Sequence, residues 1–312
     1  MAEQITLGKT NLAVSRIGTG TWAWGDKLVW GFGRGYSDRD LRAAFDASMR
    51  AGVTFFDTAE LYGSGKSERF LGEFIRASGM RPVVATKYFP FPWRIGKGAV
   101  LSALRRSLRR IGVGSVGLYQ IHWPFHVLSI PATMSALAEA VKEGLAEAVG
   151  VSNYSADQIR RAADALAKAN VPLASNQVEY SLLHRAPERD GVQKACVDVG
   201  ASLIAYSPLA MGMLTGKYAA GKLPAGFRGL RYRRLNFPAF EGLRDGLVDV
   251  GAAHGGRSTS QVALNWVVQK GAIPIPGAKN AVQAEQNAGA LGWSLTDAGV
   301  NRLDGLSDRL SN

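Results

Sequence analysis

The stretch Phe55-Phe56-Asp57-Thr58-Ala59-Glu60-Leu61-Tyr62-Gly63 finishes an apolar run, 53–57, on a carboxylate and carries a phenol five residues further on, in the turn that follows. The next two apolar runs finish in the same way. Val83-Val84-Ala85-Thr86-Lys87 closes on an ammonium, and Leu118-Tyr119-Gln120-Ile121-His122 on an imidazole. Singly, each residue has a plain structural reading: Asp57 as a helix cap, Lys87 as a solvated rim charge, His122 as a satisfied core histidine. Arriving in register on three consecutive strands, the four ionisable groups point instead to one shared mouth.

Outward from this stretch, short β-branched or apolar runs recur at residues 17–20, 53–57, 83–87, 117–122, 148–152, 174–178, 202–206 and 272–275. Helical spacing fills the intervals, at 38–50, 66–77, 97–111, 131–143, 156–169, 187–199 and 258–269. Strands joined by helical crossovers pair in parallel. An open doubly wound sheet and a closed barrel both satisfy this alternation. The first strand runs into Gly18-Thr19-Gly20-Thr21-Trp22-Ala23-Trp24, which lacks the third glycine of a dinucleotide turn. Polar residues finish nearly every run: Asp57, Lys87, His122, Ser152 with Asn153, Gln177 and Ser207. That convergence suits a (β/α)8 TIM barrel, an α/β fold whose C-terminal strand ends share one face.

Three segments stand outside the repeat. Residues 5–16, centred on Gly8-Lys9-Thr10-Asn11, predict an N-terminal β-hairpin able to plug the bottom of the barrel. Residues 208–238 predict a long loop on the active side, a lid or a disordered segment. Residues 281–290 and 296–306 predict two C-terminal accessory helices. We therefore expect residues 1–312 to form a single barrel domain, a length that suits this fold with insertions.

Composition excludes several classes. With 46% hydrophobic and 20% charged residues, the chain is neither disordered, collagen-like nor a coiled coil. No run of about eighteen apolar residues exists, and the N-terminus lacks the charged and apolar regions of a signal peptide, so a cytoplasmic protein is expected. Cys196 is the sole cysteine, which excludes an intrachain disulfide and cysteine-rich zinc sites and suggests helix packing. The net charge of +12 is spread along the chain, with clusters at Arg105, Arg106, Arg109, Arg110 and at Arg228, Arg231, Arg233, Arg234. No nucleic-acid recognition motif accompanies them, so neither nucleic acid nor membrane is expected as a partner. Gly65-Lys66-Ser67 imitates a phosphate loop, but Glu60 stands where its first glycine belongs.

With these residues in view, the sequence resembles the aldo-keto reductases over nearly its whole length. The family's catalytic Asp, Tyr, Lys and His match Asp57, Tyr62, Lys87 and His122. Further likeness lies in Gly150-Val151-Ser152-Asn153, Asn176-Gln177, Ala205-Tyr206-Ser207-Pro208-Leu209, Gly216-Lys217-Tyr218 and Ile275-Pro276-Gly277. Residues 172–178 and 275–280 look most like the branch found in plant plastids and cyanobacteria. The resemblance implies reversible reduction of aldehydes or ketones, with hydride from NADPH and a proton from Tyr62. A lysine ammonium close to a phenol lowers its pKa, so Lys87 is expected to acidify Tyr62, Asp57 to hold Lys87 charged, and His122 to orient the carbonyl.

The resemblance also assigns the cofactor. Ser152, Asn153 and Gln177 would bind the nicotinamide amide and Tyr206 would stack on the ring. Ser207, Leu209, Gly212, Leu214 and Lys217 would hold the diphosphate. Gly277 and Lys279 would receive the 2′-phosphate, and Gln283, Gln286 and Asn287 the adenine. NADPH is thus preferred, with NADH the weaker option. Gln283 and Ala278 stand where many members carry an arginine and a hydroxyl residue, which implies a looser preference. The loops are aromatic, and Trp22, Trp24, Phe89, Trp93 and Trp123 suggest an apolar or aromatic carbonyl substrate, with Arg94 and His126 offering an anionic subsite. A different class, a cofactor-sensing regulatory subunit of the same fold with slow turnover, is the alternative.

Overall fold

The structure, a computed structural model, describes residues 3–125 and 128–310. Among these residues the strands are β1 (Gln4–Thr6), β2 (Ala13–Ser15), β3 (Gly18–Gly20), β4 (Phe55–Asp57), β5 (Val83–Tyr88), β6 (Val116–Ile121), β7 (Ala146–Ser152), β8 (Leu173–Glu179), β9 (Ser202–Tyr206) and β10 (Ile273–Pro274). β3 to β10 pair in chain order as one parallel sheet. The sheet closes where Gly20 N–H donates to the Pro276 carbonyl at 3.0 Å and Gly20 bridges Gly277. A Cβ at Gly20 would lie 2.7 Å from the Ile275 carbonyl oxygen, so only glycine permits that seam.

The period of two along each strand separates the layers. Phe55, Ala85, Leu118, Ala148, Ile204 and Ile273 form an apolar plug inside the barrel, sealed from below by Leu7, Leu12 and Val14 of the β1–β2 hairpin. Two residues further along their strands come Asp57, Lys87, Gln120 and Gly150, so polar groups begin one layer above the plug. The alternate positions Phe56, Val84, Tyr119, Val149 and Leu203 face the helices in the main core.

The helices are α1 (Asp38–Arg50), α2 (Lys66–Ser78), α3 (Gly98–Ile111), α4 (Ile130–Lys142), α5 (Ala156–Ala167), α6 (Ala186–Arg189), α7 (Val192–Val199), α8 (Phe227–Tyr232), α9 (Phe237–Ala253), α10 (Thr259–Gln269), α11 (Ala281–Ala288) and α12 (Asp297–Asp308). Reciprocal side-chain caps, Ser37 with Asp40, Ser155 with Gln158 and Ser258 with Gln261, start α1, α5 and α10. The segment expected as one helix over 187–199 is two, because Gly191 takes the left-handed conformation (φ 77°) between α6 and α7. Cys196 is buried on α7, where desolvation pushes its thiol up to about 12, an unreactive state.

Two differences from the sequence reading are substantive. Residues 208–238 are structured, with a 3-10 segment at Ala210–Thr215 followed by α8. Beyond them α9 was not foreseen. Its apolar positions Phe240, Leu243, Leu247 and Val250 keep helical spacing, but the intervening glycines hide it. Those glycines serve contact: a Cβ at Gly246 would meet Leu306 of α12 at 2.3 Å.

The α2–α3 contact gives a direct test. A Cβ at Gly72 would lie 2.0 Å from the Ile111 carbonyl oxygen. Gly72→Ala is expected to cost about 1–3 kcal/mol through overpacking, read as a lowered denaturation midpoint in urea.

Candidate active site

The C-terminal strand ends open into a cavity of about 1090 Å³ lined both by strand-end residues and by residues of the 208–238 segment, the strap. Lys87 lies beneath its floor and is fully buried. Its Nζ donates to Asp57 Oδ1 at 2.5 Å, to the Thr58 carbonyl at 2.9 Å and to Tyr62 Oη at 3.2 Å. Across the barrel, Gln177 Nε2 donates to the other Asp57 oxygen at 2.8 Å. Tyr62 reaches this cluster because a tight 3-10 turn, with Gly63 and Ser64 left-handed, follows directly on it. The His122 ring stands edge-on to Tyr62 at 6.0 Å, and its buried Nδ1 has no partner among the described residues. The tetrad is therefore assembled at one mouth.

The electrostatics differ from expectation in one respect. The Tyr62 hydroxyl sits against a fully buried ammonium, and its own desolvation raises its pKa above the ordinary phenol value; Lys87 pulls it down and Asp57 pushes it up. The expected net acidification is thus reversed in the protein alone, and Tyr62 is a protonated phenol at neutral pH. For Lys87, burial favours loss of the proton, but Asp57 and Tyr62 outweigh it and the pKa is raised, so the ammonium persists. His122 is lowered to about 3 by burial and by the Lys87 charge, which keeps the imidazole neutral.

The residues expected to bind the cofactor fall along the same cavity. Ser152, Asn153 and Gln177 line it beside the tetrad. Ser152 Oγ donates to the Gln177 carbonyl at 2.7 Å, while Asn153, in a left-handed conformation (φ 62°), donates to the His122 carbonyl at 3.1 Å. Tyr206 Oη donates to Asn153 Oδ1 at 3.0 Å. Ser207, Leu209, Gly212 and Lys217 line it as well, as do Gly277, Lys279, Gln283, Gln286 and Asn287. Leu214 does not join them; it is buried in the core, its N–H turned to the Leu209 carbonyl.

Of the aromatic set, Trp22 and Trp123 line the cavity, Trp22 stacking on Tyr62 at 6.4 Å. Trp24 is a correction: it is fully buried against Phe56 and Phe74, with Nε1 donating to the Ala278 carbonyl. Phe89 packs edge-on behind His122 without lining the cavity, and Trp93 is 72% exposed on Phe91 outside it. Arg94 offers no anionic subsite, since it is paired with Glu60. His126 lies outside the described residues. Leu61, Val29, Met211 and Phe227 complete the apolar wall, and Arg228 joins Lys217 and Lys279. Sequence reasoning missed Met211, Phe227 and the placement of Arg228 because these residues reach the cavity only through the path of 208–238; the arginine cluster was the one available signal.

The family model described as Aldo/keto reductase family matches residues 16–308. The chain belongs to that family and is an oxidoreductase of carbonyl compounds. It is 42% identical over 299 residues to pyridoxal reductase of the Arabidopsis thaliana chloroplast, covering 92% of this chain and 81% of that one, in keeping with the plastid-type likeness. It is 31% identical over 307 residues to L-glyceraldehyde 3-phosphate reductase of Escherichia coli, covering 91% and 86%. Among solved structures, a glycerol dehydrogenase from Gluconobacter oxydans superposes with TM-score 0.86 at 27% identity, covering 98% and 95% of the two chains. A thermostable aldo-keto reductase bound to epalrestat gives 0.78 at 28%, covering 97% and 99%.

A lowered His122 pKa has a signed consequence. The unfolded histidine takes a proton near its ordinary value of 6.5, whereas the folded one refuses it until about 3. Its contribution therefore lowers stability as pH falls through that window. In a proton NMR titration of the folded protein, the His122 ring signals are expected to stay put between about pH 5 and pH 8, unlike those of a solvated histidine.

Proposed function

We propose that the protein reduces an aldehyde or ketone to the alcohol, reversibly, with NADPH as hydride source and Tyr62 as proton donor. The observation that carries this is the Lys87 ammonium held 2.5 Å from Asp57 and 3.2 Å from Tyr62 beneath a cavity of about 1090 Å³. A basic part of the cavity wall fits the cofactor's phosphates. Lys217, Arg228 and Lys279 line it, with no carboxylate in ion-pair range of any of them among the described residues, and burial together with the Arg228 and Lys217 charges lowers the Lys279 pKa. Such a cluster calls for an anion. Ser152, Asn153 and Gln177 would hold the nicotinamide amide, Tyr206 its ring, Ser207 to Lys217 the diphosphate, and Gln283, Gln286 and Asn287 the adenine. NADH lacks the group that Lys279 would bind.

The bound cofactor supplies a hydride; the chain supplies the rest. As negative charge grows on the carbonyl oxygen, the protonated Tyr62 hydroxyl gives it a proton, and Lys87 stabilises the phenolate left behind. Asp57 and Gln177 keep that ammonium charged and aimed. Neutral His122 can donate a hydrogen bond to the same oxygen and fix the direction of approach. Trp22, Trp123, Leu61 and Phe227 line the cavity and favour an apolar or aromatic carbonyl compound. Pyridoxal, an aromatic aldehyde, is the first substrate to try, given the name of the Arabidopsis relative. No observation on this chain favours the regulatory reading.

Mixing the protein with NADPH and aromatic aldehydes, pyridoxal included, is expected to give carbonyl-dependent loss of reduced-cofactor absorbance; tight binding with no turnover across the panel would favour a cofactor sensor. Tyr62→Phe is expected to lower kcat by about 10²–10⁴-fold with dinucleotide affinity nearly unchanged, and retained turnover would remove Tyr62 as the acid. Lys87→Met takes away the charge that opposes desolvation of the phenol. The alkaline limb of its residual reductase profile is expected to move to higher pH, and an unmoved limb would contradict the coupling.

A further inference from the structure

Arg94 and Glu60 form an ion pair for which the chemistry of the tetrad has no task. Glu60 lies between Asp57 and Tyr62, in the segment that brings the phenol to Lys87, and Arg94 belongs to the loop that follows β5. The pair is bidentate: Arg94 Nη1 donates to Glu60 Oε1, and Nη2 to Glu60 Oε2 at 3.0 Å. The Glu60 side chain is 6% exposed and that of Arg94 17%, so this is a largely desolvated contact rather than a screened surface pair. Removing either partner would leave the other charge uncompensated, and the two segments are held together on that account.

Between them the two side chains grip Phe89. Its N–H donates to Glu60 Oε1 at 2.8 Å, and its carbonyl accepts from Arg94 Nη1 at 3.0 Å and from the Phe91 N–H at 2.9 Å. The guanidinium carbon also sits 5.2 Å from the centre of the Tyr88 ring and 5.1 Å from that of Phe91, which packs on Phe89 at 4.6 Å. Held in this way, the Phe89 ring stands edge-on to His122 at 5.9 Å. An imidazole at a reactive site is ordinarily aimed by a hydrogen bond to its second nitrogen. His122 lacks that device, since its buried Nδ1 has no partner among the described residues. The direction of its ring therefore rests on packing against Phe89 and Tyr62.

We infer that Glu60 and Arg94 are positioning residues: their ion pair clasps Phe89 and, through its ring, holds the His122 imidazole in the orientation from which it reaches the substrate oxygen. This rests on the reading of His122 given above and adds the groups that aim it. Because Glu60 shares its segment with Tyr62, the same clasp ties together the two side chains that act on the carbonyl oxygen. The ionisable groups facing His122 are Lys87 from β5 and Tyr62 from the turn after β4, while the loop after β5 presents the apolar Phe89 ring. Arg94 and Glu60 thus reach His122 through Phe89 and not by direct contact.

The test is a double-mutant cycle on the full chain, with pyridoxal and benzaldehyde as substrates. Arg94→Met is expected to lower kcat/KM by about 10- to 100-fold while NADPH affinity stays within about twofold of wild type, which certifies the fold. Arg94→Lys, a point charge without the planar fork, is expected to recover part of the loss. In a His122→Asn background the Arg94→Met loss is expected to shrink below about twofold, because the group that the clasp serves is gone. Proton NMR of the protein alone gives a second readout. The His122 ring signals are expected to shift in Arg94→Met and in Phe89→Leu, and to titrate closer to the ordinary 6.5 as water reaches the ring. Phe89→Leu leaves the ion pair intact and carries the test if Arg94→Met does not fold. Equal losses in both backgrounds, or His122 signals unmoved in the variants, would overturn the inference. A His122→Asn protein as active as wild type would instead remove His122 from the reaction, and this inference with it.

Discussion

An ammonium and a carboxylate buried together inside the barrel are the constraint around which the site is built. Lys87 and Asp57 have side chains 0% and 2% exposed, and desolvating two such ions costs several kcal/mol each in general unless geometry and further hydrogen bonds compensate. Here the compensation is complete on both sides. Lys87 uses Asp57, Thr58 and Tyr62, and Asp57 uses Lys87 and Gln177, so three strands and a turn must hold their positions at once. The pair is better understood as fixing where a phenol stands than as a source of stability.

That phenol shows why pairwise reasoning about charge is incomplete. A nearby ammonium alone argues for an acidic tyrosine, yet the burial that sustains the ion pair also withdraws water from Tyr62 and raises its pKa. The result suits the proposed direction of proton transfer. The donor rests protonated, and the cation acts when charge develops rather than before. Burial likewise holds His122 neutral, so one physical cause sets the state of both groups.

The barrel and the tetrad were legible because both depend on short-range rules. A strand has period two, so Phe55 and Asp57, or Ala85 and Lys87, share a face by covalent geometry alone. Helix caps and left-handed glycines mark ends in the same local way. The strap and α9 were not legible, since glycines that look like breakers, such as Gly246, are there to admit a neighbouring helix. Trp24 misled for a related reason: a loop aromatic is taken as a surface feature, and only packing sends it into the core against Phe56 and Phe74.

By itself, the sequence determined the parallel αβ repeat, the hairpin beneath it and the four ionisable groups at successive strand ends, because periodicity and strand polarity are properties of the local chain. Tertiary structure decided what those groups experience. Closure at Gly20, the burial of Lys87, the raised Tyr62 and the pairing of Arg94 with Glu60 all join residues far apart in the chain, and solvation and charge–charge energies depend on distances through space that no local pattern encodes.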